Sequence, residues 1–229
     1  MALGVYELIA DDLALIEEYV DEEVKNYVRP PLNTWDQNFL PSLVVLSGRY
    51  YGYEGRRLFS MAAALKLIFL GTFIHARAGT EPARPALWGD YLYTKFFALL
   101  CRDGNLEFLP HLTEVICRIN LRFIHSVVKK EDPDVAAVEV CGLLGGLATR
   151  LGTTLAGAPA DEVEGWYDVG HAFGLLWGIQ NCGRPLLTSH HVAKAEEALE
   201  KVPDISGRKV WRGIFLDLCK PATVWRLAP

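Results

Sequence analysis

The segment FSMAAALKLIFLGTFI, residues 59–74, decides the fold class of this chain. Its apolar residues lie on every side of a helix, and Lys66 is its only charged residue. A helix of this kind is buried on most sides, whereas a surface helix has a single apolar stripe. Its 16 residues fall short of the roughly 20 that a membrane span needs. The segment therefore predicts a helix at the centre of an all-α fold.

The sequence on either side of this segment predicts further helices. Apolar residues recur at helical spacing, and proline, glycine and polar residues separate the runs. Pro41 is expected at the first position of its helix, Asp90 at a helix start, and Asp11-Asp12 and Asp134 at N-caps. We expect one helical domain over residues 1–229. The predicted helices cover residues 6–27, 41–51, 59–74, 86–101, 108–128, 135–155, 162–180, 190–201 and 205–219.

Small residues in the helix predicted over residues 135–155 indicate close helix packing. Without large side chains, a neighbouring helix could approach the backbone closely at these positions. They are Gly142, Gly145, Gly146, Ala148 and Gly152.

Composition and charge argue against several classes of protein. Of the 229 residues, 51% are hydrophobic and 22% are charged, as in a globular protein and not a disordered one. A net charge of −5 argues against nucleic acid as a partner. Seven carboxylates lie between Asp11 and Glu23. We interpret them as the solvated face of the first helix, with an acidic docking face as the alternative.

The cysteines and the first residues indicate a cytoplasmic protein. The five cysteines are dispersed and form no CxxC pair, which is typical of reduced thiols. The N-terminal sequence turns acidic before any apolar run could serve as a signal peptide. We therefore expect a cytoplasmic protein that is not an integral membrane protein. The cysteines are Cys101, Cys117, Cys141, Cys182 and Cys219.

Several phrases, in the same order, resemble the trans-isoprenyl (polyprenyl) diphosphate synthases. The most specific is LWGDYL at residues 87–92, which is similar to the family's A-x-L-x-GDYL helix. Residues 41–46 resemble its RP-x-L-x-x-L helix, and the helix that ends at His75 resembles AALELIHTASLIH. Residues 150–158 and 170–179 resemble the segments that lead to the family's second metal motif.

The resemblance covers about residues 41–219 and implies an isoprenoid-synthase-like helical bundle, somewhat truncated. In that family an allylic diphosphate loses pyrophosphate, and isopentenyl diphosphate captures the prenyl cation. Two DDxxD motifs, at the ends of facing helices, hold the Mg²⁺ ions that neutralise the leaving group. Aspartates at positions i and i+4 converge on one cavity because they share a helix face.

The residues that carry this chemistry are missing from the matching positions. The first motif would begin at Ala76, where the chain reads ARAGT, and the second at Asn181, where it reads NCGRP. The GKR phrase that binds isopentenyl diphosphate is replaced by WDQNFL at residues 35–40, and the KT pair by Val140-Cys141. The resemblance therefore implies no catalytic residue and no metal ligand here. The degenerate motif positions are Ala76, Arg77, Thr80, Asn181, Cys182 and Pro185.

Basic side chains near these positions have two interpretations. Arg77 and Arg184 would repel Mg²⁺. We interpret them as surface or interface residues, with direct binding of pyrophosphate as the alternative. His75 and His171 lie at the edge of the expected cavity and are interpreted as structural histidines that could titrate. The adjacent pair His190-His191 cannot face one metal ion from a helix.

The sequence favours a non-catalytic small or regulatory subunit of a heterodimeric polyprenyl diphosphate synthase. Some members of the family consist of two different chains. One chain carries both aspartate motifs, and the other is shorter and lacks them. In this hypothesis residues 59–74 pack against a catalytic partner subunit that carries the DDxxD motifs, and this chain supports its activity and product chain length. Mg²⁺ is expected only on that partner, and no cofactor on this chain. The residues expected to line the prenyl tunnel or the interface, or else to pack in the core, are Leu70, Gly71, Phe73 and Ile74.

Two alternatives stay open. The first is a stand-alone degenerate fold that binds or carries a prenyl chain without catalysis. The second is an active prenyltransferase with an atypical site. A neighbouring gene for a chain with both motifs would favour the subunit, whereas Mg²⁺-dependent condensation by this chain alone would favour the transferase.

Overall fold

The computed structural model describes residues 3–24, 32, 34–76, 83–182, 188–203 and 207–220, and all regular elements in these ranges are helices. A short 3₁₀ turn, Leu106–Phe108, precedes α6. The predicted all-α fold is confirmed. The α-helices are α1 (Leu3–Leu8), α2 (Ala10–Glu23), α3 (Thr34–Tyr50), α4 (Arg57–Ala76), α5 (Ala83–Arg102), α6 (Leu109–Lys129), α7 (Pro133–Leu155), α8 (Ala160–Asn181), α9 (Ser189–Lys201) and α10 (Arg208–Leu218).

Helix α4 is the centre of the fold, as the sequence predicted. Every residue from Leu58 to Thr72 is buried, and α2, α3, α5 and α7 pack around the helix. With 20 residues α4 is longer than expected, so the length argument against a membrane span was wrong. Both α4 and α7 are long and apolar enough to cross a membrane. Their most apolar windows are 78% and 72% buried inside the protein, as in core helices.

Glycines bring α7 and α8 into close contact. A Cβ on Gly145 would lie 2.2 Å from the carbonyl oxygen of Gly170, and a Cβ on Gly174 would lie 2.2 Å from that of Cys141. A Cβ on Gly152 would lie 2.3 Å from the carbonyl oxygen of Val44 in α3. A larger side chain would force these helices apart, because protein interiors are close-packed. The predicted packing through small residues is confirmed.

The N-terminal third differs from the prediction at several helix ends. Residues 6–27 do not form a single helix, because α1 and α2 are separate and Ile9 is the N-cap residue of α2. Asp11-Asp12 therefore lies in the first turn of α2 and not at its N-cap. Helix α3 begins at Thr34, so Pro41 lies inside the helix. Proline removes one hydrogen bond from a helix, and the buried side chains before it continue the helical packing.

Two expected aspartate positions are also corrected. Helix α5 begins at Ala83, so Asp90 lies in its interior and not at its start. Asp132 caps α7, since its Oδ1 accepts a hydrogen bond from the backbone N–H of Asp134 at 3.1 Å. Pro133 occupies the first position of α7, which moves the N-cap to the preceding residue.

Three acidic residues of α2 pair with basic residues of other helices instead of facing solvent. Asp12 accepts a hydrogen bond from Arg49 of α3 at 2.8 Å. Glu17 pairs with Lys66 of α4, and a carboxylate oxygen of Glu23 lies 2.9 Å from Arg102 of α5. The expectation of a solvated acidic face is therefore wrong for these residues, which tie α2 to three helices.

Candidate functional site

The start of α3 and the end of α8 meet at a buried carboxylate, Asp36. Its Oδ1 accepts hydrogen bonds from Trp177 Nε1 at 2.8 Å and from Asn181 Nδ2 at 2.7 Å. The residue is only 3% exposed. It lies in the first turn of α3, where the helix dipole favours negative charge. The desolvation cost of this carboxylate is thus offset by two donors and a helix terminus.

Cys141 and Tyr6 are two of the side chains near Asp36. Burial, with smaller effects of Asp36 and Cys182, raises the pKa of Cys141 to about 12, so the thiol keeps its proton. Burial, followed by the charge of Asp36, also raises the pKa of Tyr6 well above its usual value. The Cys182 thiol donates to the carbonyl oxygen of Ile179 at 3.0 Å. These neighbours supply no positive charge to Asp36.

This group joins three of the positions at which the resemblance implies phosphate or metal binding. Asp36 lies within residues 35–40, where a GKR phrase was expected, and Cys141 lies at the KT position. Asn181 and Cys182 open the second motif. A carboxylate here repels a diphosphate, and neutral thiol and amide groups do not replace the carboxylates that hold Mg²⁺. We call Asp36, Cys141, Trp177, Asn181 and Cys182 the Asp36 cluster.

Sequence reasoning missed the importance of Asp36. It noted the loss of basic residues at residues 35–40, but not the carboxylate that stands there. The signal was an acidic residue in a segment where the family has a basic phosphate-binding phrase. Its partners Trp177 and Asn181 lie more than 140 positions away (|i−j| of 141 and 145), so only the fold shows that they meet.

Aromatic rings fill the space between the Asp36 cluster and α4. The ring centroid of Trp177 lies 4.8 Å from that of Phe39 and 5.5 Å from that of Phe69. All three residues are buried. The stack continues along α4, where Phe69 and Phe73 lie 6.0 Å apart. Rings at such distances are in packing contact, so α3 and α4 cover this side of α8.

The residues predicted to line a prenyl tunnel or an interface occupy the last turns of α4. Leu70 and Gly71 are buried, whereas Phe73 and Ile74 are half-buried. Gly71 packs against α5, and a Cβ there would lie 3.2 Å from the carbonyl oxygen of Gly89. Contact of these four residues with a prenyl chain stays a prediction.

The degenerate first-motif position on α4 is at its exposed end. Ala76 is exposed as the last residue of the helix. His75 beside it packs on Tyr93, with ring centroids 5.5 Å apart, and its Nε2 lies 3.4 Å from Asp90 Oδ1. This agrees with the interpretation of His75 as structural. Arg77, Thr80, Arg184 and Pro185 lie outside the described residues.

Helix α4 does not offer its apolar surface to a partner subunit. Residues 59–72 are buried under the chain's own helices, so the hypothesis that they pack against a catalytic chain is wrong. Exposed apolar side chains lie on α5 and α6 instead. On α5 they are Leu87 (70% exposed) and Phe97 (45%), and on α6 they are Leu121 (54%), Ile124 (56%), Val127 (77%) and Val128 (72%).

The exposed apolar residues of α6 form a stripe, which we call the α6 stripe. Leu121, Ile124 and Val128 are three and four positions apart, so they share one face of the helix. The buried residues of the same helix, such as Val115 and Ile119, face the core. Helix α6 thus has two apolar faces, and the described residues cover only one of them.

Within the described ranges, no group of three or more His, Cys, Asp or Glu side chains is arranged to hold a metal ion.

No protein-family model matches the chain. In sequence it is similar to octaprenyl diphosphate synthase of Escherichia coli K12, with 24% identity over 204 residues, 76% of this chain and 63% of that protein. It is also similar to heptaprenyl diphosphate synthase component 2 of Geobacillus stearothermophilus, with 26% identity over 206 residues, 77% of this chain and 64% of that protein. The chain therefore spans less than two thirds of the length of these relatives.

Solved structures show the same fold. A decaprenyl diphosphate synthase from Rhodobacter capsulatus matches with a TM-score of 0.76 and 17% identity, over 95% of this chain and 98% of that one. A geranyl diphosphate synthase small subunit from Antirrhinum majus matches with a TM-score of 0.66 and 17% identity, over 94% and 99%. The predicted resemblance is confirmed: the chain is a relative of the polyprenyl diphosphate synthases and has their helical fold.

Proposed function

We propose that this chain is a non-catalytic subunit of a heteromeric trans-polyprenyl diphosphate synthase in isoprenoid biosynthesis. It binds a catalytic chain that carries both DDxxD motifs, supports its activity and influences the length of its product. Mg²⁺ is held by the carboxylates of that partner. The Asp36 cluster carries this proposal, because it places a buried carboxylate where phosphate-binding residues are expected.

The electrostatics of the Asp36 cluster oppose diphosphate binding. Two like unit charges 4 Å apart repel each other by about 4 kcal/mol at an effective dielectric constant of 20. Trp177 and Asn181 donate to Asp36, and these bonds hold its charged form in place. A diphosphate in this position would therefore meet a fixed negative charge, and the neutral Cys141 thiol would not compensate for it.

The names of two similar proteins support assembly with another chain. One is component 2 of a heptaprenyl diphosphate synthase, and the other is a small subunit of a geranyl diphosphate synthase. Both names describe one part of a larger enzyme. This supports the idea that the present chain also acts in an assembly.

The α6 stripe is the surface that we assign to the partner. Contiguous exposed apolar side chains are typical of protein–protein contacts. Interfaces of permanent complexes are large and apolar, and a helix with two apolar faces suits such an interface. The α6 stripe thus takes the place of α4, which the sequence had favoured as the surface that contacts the partner.

The test is co-expression of this chain with a polyprenyl diphosphate synthase that has both DDxxD motifs, from the same source. We expect the two chains to co-purify, and the product length to change when this chain is present. The double variant Ile124→Glu/Val128→Glu should abolish co-purification, because charges in an apolar interface are not compensated. Leu216→Glu is the matched control, since Leu216 is also an exposed apolar residue (56%) but lies on α10.

Three results would contradict the proposal. The first is a chain that does not bind the catalytic subunit and leaves its product unchanged. The second is Mg²⁺-dependent condensation by this chain alone, which would favour the atypical transferase. The third is binding of a prenyl chain with no effect of any catalytic partner, which would favour the stand-alone carrier. The cytoplasmic location stays a prediction.

A further inference from the structure

A groove lies between α6, α7, α8 and the start of α9, and the Asp36 cluster takes no part in it. Its volume is about 710 Å³. Small-molecule sites in proteins measure roughly 300–1,000 Å³ and combine apolar walls with a few polar groups. The groove has the apolar component, since its lining includes Leu121, Val138, Leu143, Leu175 and Ile179.

One end of the groove carries basic groups from α6 and α8. The guanidinium of Arg118 donates to the hydroxyl of Tyr167 at 3.3 Å. Its ion pair with Glu114 is long, at 3.9 Å, and the side chains of both residues are about half exposed (46% and 57%). An exposed pair of this length contributes little. Arg118 can therefore turn its remaining N–H donors to an anion in the groove.

His171 lies beside Arg118 at this end. Its ring stacks on Tyr167, with centroids 6.0 Å apart, and a Cβ on Gly142 would lie 3.1 Å from its Nε2. Burial, followed by the charge of Arg118, lowers the pKa of His171. The imidazole is thus neutral at pH 7 and has one N–H to donate, while Arg118 supplies the positive charge.

The other charged groups of the lining, Arg122 and Glu139, pair with each other. Arg122 donates to Glu139 and lies 2.7 Å from Glu131. His125 and His191 complete the polar part of the lining, and His191 Nδ1 is within hydrogen-bonding distance of Thr188, at 2.9 Å. The positive charge that can face an anion in the groove is therefore at Arg118, with the neutral N–H of His171 beside it, while apolar side chains continue along α7 and α8.

We infer that this groove binds an anionic amphiphile, an aliphatic chain that ends in a carboxylate or a phosphate. The head group lies at Arg118 and His171, and the chain lies on Val138, Leu175 and Ile179. Guanidinium is suited to both head groups because its N–H donors match two oxygens at once. This site does not depend on the proposed subunit role, although Leu121 of the α6 stripe also belongs to its lining.

The test is calorimetric titration of the full chain with four probes below their micelle concentrations: decanoate, decyl phosphate, decanol and inorganic phosphate. We expect one decanoate or decyl phosphate per chain, and binding of decanol and inorganic phosphate about tenfold weaker or more. Whichever anion binds more tightly identifies the head group. Arg118→Gln should weaken both anions about tenfold and leave decanol unchanged.

Two further variants separate the head-group and chain contacts. Leu175→Gln should weaken decanoate, decyl phosphate and decanol alike, because it makes the apolar wall polar. Arg212→Gln is the matched control; it removes an arginine of α10 and should change none of the affinities. Arg118→Lys keeps the charge but not the planar donors, so we expect it to lie between wild type and Arg118→Gln.

The inference fails if decanol binds as tightly as decanoate, if Arg118→Gln binds both anions like wild type, or if binding begins only at micelle formation. An acidic amphipathic peptide that binds in preference to both amphiphiles would also overturn it. Thermal melting by circular dichroism identifies any variant that has lost its fold, and in that case Arg118→Lys carries the test.

Discussion

Helix α8 has two buried indoles. One donates a hydrogen bond to a residue in the first turn of α3, and the other donates to the residue that follows α3. Trp166 Nε1 donates to the hydroxyl of Tyr51 at 3.0 Å, and Trp177 Nε1 donates to Asp36 at 2.8 Å. The two contacts hold antiparallel helices together at both ends. They differ in the acceptor, which is a neutral phenol at one end and a carboxylate at the other.

At the Trp166 end, ring packing and a neutral hydrogen-bond acceptor are enough to explain why the indole is held in place. Tyr51 donates in turn to Glu162 at 2.5 Å, and the ring of Trp166 packs on Tyr50 and Trp211 with centroids 4.8 Å and 4.5 Å away. At the Trp177 end a neutral acceptor would satisfy the indole equally well. The charge of Asp36 is therefore the feature that packing does not require, and the proposed function depends on it.

The largest effect is expected from Asp36→Ala. It removes the acceptor of Trp177 and Asn181 and should lower the free energy of unfolding by about 3 kcal/mol. Asp36→Asn keeps one acceptor oxygen and should cost about half as much. Urea unfolding followed by tryptophan fluorescence measures both. A loss of less than about 1 kcal/mol in Asp36→Ala would show that these bonds do not hold α8 to α3.

Tyr51→Phe tests the neutral end of the comparison. It removes the acceptor of the Trp166 N–H and the donor to Glu162. We expect it to lower the free energy of unfolding by about 2 kcal/mol, less than Asp36→Ala, because the acceptor that the indole loses is a neutral hydroxyl and not a carboxylate. Tyr53→Phe is the matched control, since Tyr53 is a half-buried tyrosine nearby, and should change stability by less than about 0.5 kcal/mol. Equal losses in both variants would assign the effect to packing and not to the indole bond.

The smallest effect, taken per pH unit, is an alkaline loss of stability, and the two ends contribute to it separately. Burial raises the pKa of Cys141 to about 12 from its ordinary 9.0, and burial followed by the hydrogen bond to Glu162 raises the pKa of Tyr51 from 10.0. In both cases the folded state favours the protonated form. Their contribution is therefore complete below the unfolded-state pKa and is lost as the pH rises above it.

We expect the stability to fall from about pH 9 upward through Cys141 and more steeply above about pH 10 through Tyr51, by about 1 kcal/mol per pH unit for each group. Cys141→Ala should lessen the fall that begins near pH 9, and Tyr51→Phe should lessen the fall above about pH 10. The raised pKa values of Tyr6, Tyr93 and Cys219 leave part of the fall in both variants. Urea midpoints between pH 8 and pH 11 measure this. Parallel pH profiles in wild type and both variants would contradict the assignment.

The features of the fold that depend on a local sequence pattern could be predicted from the sequence. The burial of α4 follows from apolar residues on all sides of residues 59–74, and the contact of α7 with α8 follows from Gly145 and its neighbours. Helix ends were less predictable. Pro41 suggested a helix start because proline suits that position, but packing of Phe39 and Leu40, both 1% exposed, carries α3 across it.

The site depends on contacts that local pattern cannot show. Asp36 becomes significant only because the fold brings Asn181 to it. The groove likewise joins Arg118 of α6 to His171 of α8 and His191 of α9. Helix α4 was taken as an interface because it is apolar, whereas in the part of the chain that the structure describes an uncovered apolar face lies on α6.

Lys66 gives the centre of the molecule a directional contact. It is 2% exposed, burial lowers its pKa to about 8, and Glu17 of α2 pairs with it. An apolar helix alone would accept α2 in several sliding positions of similar energy, since hydrophobic contact is non-directional. In the observed position Glu17 places a carboxylate on Lys66, and any position without a carboxylate there would leave a buried charge unpaired, which is strongly unfavourable. The pair therefore restricts the register of α2 on α4 more than it adds to stability.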